Sequence, residues 1–146
     1  MKPVYTPITQ LPEFLEQQEK ETFTSLFDFI PLMEKEFARV NKILKTPLTK
    51  EAAMKFLDFE DTKQELFKAL CQSGLLVDFE WEHWVEGHEI LSGIRSFPRL
   101  NAIKICKLLT LIVRNDQIKS GFFEAKLKQG TVLDLLKQLQ IKLLNH

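Results

Sequence analysis

Apolar residues recur along the chain at intervals of three and four, which is the period of an amphipathic helix. Strand signals are weak. Few β-branched runs alternate with polar residues, and no Asn-Gly or Asp-Gly turn separates two such runs. Residues 9–21 read as a first helix, with Pro12 in its first turn and an apolar patch of Leu11, Phe14 and Leu15. From Phe23 to Leu44 the pattern is heptad-like. Phe23, Ile30, Phe37 and Leu44 take one position, and Leu26, Met33 and Val40 the other. The plain reading is a long helix docked on the core, with an intermolecular coiled coil as the alternative. Pro31 argues for a break or kink at Ile30-Pro31, with Pro31 starting the second piece, because an interior proline costs a helix about 3 kcal/mol.

Thr46-Pro47 ends that segment, and Thr49 reads as the cap of a short helix carrying Ala52, Ala53, Phe56 and Leu57. Thr62 and Glu65 form a capping-box pattern for a helix that buries Leu66, Phe67, Ala69, Leu70 and Cys71 and stops at Gly74. Residues 75–98 look loop-rich, punctuated by Gly87, Gly93 and Pro98, with Trp81 and Trp84 one helical turn apart. Leu100–Arg114 is apolar around most of its circumference, which marks a buried central helix. A polar turn over 115–120 leads to a short helix at 122–128, ended by Gly130. Thr131 then caps a last helix with the stripe Val132, Leu135, Leu136, Leu139 and Leu143. Ile141 and Leu144 fall off that stripe and hint at a partner surface. The expected fold is all-α: an N-terminal appendage helix over 1–22 and one helical domain over 23–146, about six or seven helices around 100–114.

Composition sharpens this picture. With 146 residues, 45% hydrophobic and 27% charged, the chain is an ordinary globular domain rather than a disordered one. Twelve phenylalanines against one tyrosine mostly fall at helical spacing and supply core. The N-terminus has no apolar segment of a signal peptide, and the longest apolar stretch, near Ile105–Val113, falls short of a membrane span. The expected location is the cytoplasm, with no membrane partner. Cys71 and Cys106 sit among apolar residues and read as reduced, buried thiols.

Four segments in order carry a resemblance. They are Phe29-Ile30-Pro31-Leu32-Met33-Glu34, the run from Phe67 to Leu75, Phe79-Glu80-Trp81-Glu82-His83-Trp84, and the run from Thr110 to Gly121. Together, over about Ser25 to Gln140, the chain resembles a bacterial group of small helical proteins, the domain-of-unknown-function family numbered 6508. The resemblance implies a helical fold and bacterial origin, and brings no activity, substrate or cofactor. Gln117 stands where that family usually has a second arginine, and Ile118 where it has an aromatic residue.

Net charge is zero, yet residues 1–100 sum to −5 and residues 101–146 to +5. Residues 78–89 hold five acids and no base. The expectation is that this acidic aromatic segment lies against the basic C-terminal helices, or against a second copy. The leading functional reading is a non-enzymatic protein-interaction or self-association module. Its expected groove lies near Trp81, Trp84 and the final helix, with Arg114, Asp116, Ile141 and Leu144 as further contact residues. Trp is favoured at interaction hot spots. A second reading is nucleic-acid association through Lys104, Lys107 and Arg114, whose phosphate contacts would be salt-sensitive. The third is a small hydrolase or metal enzyme using His83, His88 and Glu86. His83 and His88 are five apart, the wrong spacing for two ligands on one helix face. No P-loop, G-x-G-x-x-G or G-x-S-x-G motif is present, and no cofactor is expected.

Overall fold

The computed structural model describes residues 3–43, 50–93 and 100–144. In chain order these form strand β1 (Thr6–Pro7), helices α1 (Leu11–Gln17), α2 (Thr24–Phe27), α3 (Phe29–Ile43), α4 (Lys50–Met54) and α5 (Glu60–Ser73), and strand β2 (Val77–Asp78). Helices α6 (Val85–Ser92), α7 (Ala102–Ile118), α8 (Phe122–Lys128) and α9 (Thr131–Leu144) follow. Short 3-10 turns precede α1, α2 and α6. The fold is all-α, as the periodicity predicts, apart from the small parallel pairing of β1 with β2. The proposed cap at Thr49, the stop at Thr46-Pro47, the seam position Leu44 and the punctuation at Pro98 lie outside the described residues.

Helix α7 forms the centre. Asn101 caps it, its side chain accepting from the Lys104 N–H at 2.8 Å, so the helix starts at Ala102 rather than Leu100. Every residue from Ile105 to Val113 except Lys107 is buried. Helices α6, α8 and α9 and strand β2 pack around it. It also runs one turn past Arg114, to Ile118. Asn115, Asp116 and Gln117 read as a turn because they are polar, but polarity does not stop a helix.

The heptad seam of residues 23–40 is filled from within the chain. Phe23, Leu26, Ile30, Met33 and Val40 are buried, and the Phe37 ring meets Phe59 at 5.3 Å between centroids. Helix α3 lies on α5 and α9. The break falls at Asp28, not at Ile30-Pro31. Pro31 is then the third residue of α3, in the first turn, where no intrahelical N–H bond is lost. The capping-box start at Thr62 is also displaced. Helix α5 begins at Glu60, whose N–H is accepted by the Asp58 carboxylate at 3.2 Å. Thr131 likewise is the first residue of α9 rather than the cap before it.

Residues 5–14 pack onto the core. Thr6 donates from its backbone to Leu76 O at 2.8 Å and from its hydroxyl to Gly74 O at 2.7 Å. Leu11 is fully buried. Gly74 ends α5 at φ +79°, and a Cβ there would meet the Phe14 ring, so glycine serves both the helix stop and this contact. The hydroxyl of buried Thr110 donates to Cys106 O at 2.7 Å and accepts the Val77 N–H at 2.8 Å, tying β2 to α7.

Candidate functional site

The stretch expected to be loop-rich, 75–98, contains α6, and Trp84, Glu86, Lys104 and Lys107, all singled out in the sequence, meet beside that helix. Trp81–His83 is a 3-10 turn, and Trp84 ends it. The Trp84 ring lies directly on Gly87, where any Cβ would collide with it. Trp84 meets Phe79 edge-on at 5.7 Å. Lys107, on α7, places its ammonium over both rings, 4.2 Å from Trp84 and 5.0 Å from Phe79. Burial pulls its pKa down, partly offset by the charge of Glu86. One turn earlier Lys104 pairs with Glu86 at 3.0 Å. The acidic aromatic segment therefore faces the basic central helix inside one chain, and Lys137 of α9 reaches Glu34 of α3 at 3.4 Å.

Arg114 is not in this cluster. Its guanidinium stacks 3.8 Å from the Tyr5 ring. Neither its Nε nor the Tyr5 hydroxyl has a hydrogen-bond partner among the described residues. Asp116 has an identifiable local role: one carboxylate oxygen accepts the N–H groups of Gly121 and Phe123, at 3.1 and 3.0 Å, and so opens α8. Gln117 is exposed and Ile118 is 74% exposed at the end of α7.

The end of α9 borders a groove of about 320 Å³. Its floor is Leu15, Phe23, Ala102, Leu143 and Leu144, and its walls include Glu16 and Glu19. Leu144 is half-buried there, while Ile141, three residues back on the helix, is 57% exposed. Neither tryptophan reaches this groove, so the expected surface divides into two places. Sequence reasoning missed the walls from residues 15–23, whose local pattern carries no sign that they meet the last helix.

The two histidines do not converge. His83 is exposed, and His88 Nε2 donates to the Trp81 carbonyl at 3.0 Å. Among the described residues no group of three His, Cys, Asp or Glu side chains is placed to hold a metal. Cys71 and Cys106 are free and buried. Burial pushes the Cys106 thiol up to about 12, which leaves it protonated and unreactive near neutral pH. Among the described residues no helix is long and apolar enough to cross a membrane.

The profile of a family of unknown function, DUF6508, matches residues 18–143. No curated protein and no solved structure matches the chain. The matched span takes in helices α2 to α9 almost completely, and with them the aromatic cluster and most of the groove. The chain belongs to the DUF6508 family.

Proposed function

We propose that this protein is a non-enzymatic, self-associating interaction module, in which the end of α9 of one copy enters the α1–α9 groove of another. The observation that carries this reading is a pairing of unlike features at one place. Ile141 is exposed on the helix whose end residues Leu143 and Leu144 line an apolar groove, which the exposed carboxylates Glu16 and Glu19 also line. The same helix end offers exposed Lys142 next to Ile141. Each copy thus supplies both an apolar, basic helix end and an apolar, acidic-walled recess. A two-fold interface needs that kind of self-complementary surface. Complementary charge around an apolar contact selects orientation more than it adds affinity.

The nucleic-acid reading draws less support. Lys104 is paired with Glu86, Lys107 sits on two aromatic rings, and Arg114 is stacked on Tyr5, so the three cations are engaged within the fold. Light scattering across a concentration series tests the proposal. The mass should rise toward twice the chain mass in the wild type and remain at one chain in Ile141→Glu. A wild type that stays monomeric at the highest concentration overturns it.

A further inference from the structure

The charged side chain of Lys126 is buried, at 7% exposure. Its ammonium donates to the Leu91 carbonyl at 2.5 Å and to Gln129 Oε1 at 3.0 Å. The first bond serves α6, because Leu91 lies in the last turn, where carbonyls lack helical partners. Both acceptors are neutral, and no carboxylate forms an ion pair with Lys126 among the described residues. Two of its three N–H donors go to these acceptors, and the ammonium also lies over the Phe122 ring, 5.2 Å from its centroid. A buried charge is costly unless it is paired. Burial lowers the Lys126 pKa, as expected of a cation with no counter-charge beside it.

Lys126 also lines an open surface cavity of about 420 Å³. Val85, Leu91 and Phe122 make that cavity mainly apolar, while Asn115 adds an amide. Glu89 also borders it and is engaged in an interaction of its own. The size suits a small organic molecule. We infer that this cavity is a binding site for a small organic carboxylate with an apolar body, whose anionic group meets the Lys126 ammonium and the Asn115 amide while its body lies against Phe122 and Leu91. A bare inorganic anion would leave the apolar walls unused, and a neutral molecule would leave the buried cation without a counter-charge.

The test is a two-dimensional amide NMR titration of the full chain with sodium benzoate, with benzyl alcohol and inorganic phosphate as comparison probes. Benzoate should give saturable shifts at residues of α6 and α8, complete below about 10 mM. Benzyl alcohol and phosphate should each bind about tenfold more weakly or worse, and Lys126→Met should weaken benzoate by a similar factor. If Lys126→Met does not fold, Ser92→Trp carries the test. Ser92 is an exposed residue of the same wall, and its replacement fills the cavity while leaving Lys126 and both acceptors in place. Absent or unsaturable benzoate shifts overturn the inference. So does equal or tighter binding of benzyl alcohol or phosphate, or unchanged benzoate binding in Ser92→Trp.

Discussion

Single residues set several contacts that hydrophobic pattern alone does not announce. Gly87 sits inside α6, where alanine is ordinarily favoured by about 1 kcal/mol. Here the Trp84 ring occupies the space of a Cβ. Gly87→Ala is therefore expected to destabilise the protein by about 1–3 kcal/mol in urea unfolding. Pairing it with Trp84→Leu should recover part of that loss, because the two changes touch the same space. A stabilised Gly87→Ala would show that the ring is not wedged there. Thr110 gives a second case. Its hydroxyl satisfies the buried Val77 N–H, and Thr110→Val keeps the shape while leaving that N–H unpaired. The expected loss is about 1–3 kcal/mol, against near zero for a threonine that merely fills volume.

At the level of elements, long amphipathic segments were legible and their joints were not. The heptad seam of 23–40, the apolar residues of 103–113 and the stripe of the last helix lie in the core or, at Phe37 and Ile103, against it, as their spacing requires. Helix α6 was read only as part of a loop-rich stretch because Gly87 reads as a breaker, and nothing nearby says that an indole ring demands it. The break before α3 was misplaced because proline marks a first turn as readily as a stop. Strands β1 and β2 span two residues each, too short for any alternation to register. The site divided the same way. Exposed Ile141 was visible as an off-stripe residue, but the groove beside it needs residues 15–23 and 102, distant in sequence. Joints between elements also respond to pH. Arg39 binds Glu36 in a bidentate pair at 2.6 and 2.7 Å, and Glu36 also accepts the Asp58 N–H at 2.7 Å. The Arg39 hydrogen bond, the largest influence, holds the Glu36 carboxyl below its ordinary value of 4.5. A carboxyl lowered by folding lends stability above its unfolded pKa and loses it as pH falls through the folded one. Stability should thus decline below about pH 4.5, and Glu36→Gln should flatten part of that decline in unfolding curves taken across pH. An unchanged acid profile in Glu36→Gln would remove the pair from the account.

Across the whole molecule, zero net charge is a cancellation with a spatial meaning. The acidic part of the chain meets the basic part at Lys104–Glu86 and Lys137–Glu34, and at the Lys107 ammonium over Phe79 and Trp84. Exposed pairs of this kind contribute about 0–1 kcal/mol each, so their value lies in orientation rather than in stability. What the internal pairing does not absorb is the end of α9, where Ile141 and Lys142 are exposed next to Leu143 and Leu144, which line the same groove as Glu16 and Glu19. If two copies meet there, raising the salt concentration should weaken their association, because screening acts on exposed charges. Sedimentation equilibrium of the wild type beside the Ile141→Glu, Lys142→Glu double variant tests this most directly. Both positions are exposed, so the variant should melt as the wild type does. The wild type should show a reversible monomer–dimer equilibrium and the variant a monomer throughout. A wild type that is monomeric at every concentration, or a variant that dimerises as well as the wild type, would contradict this.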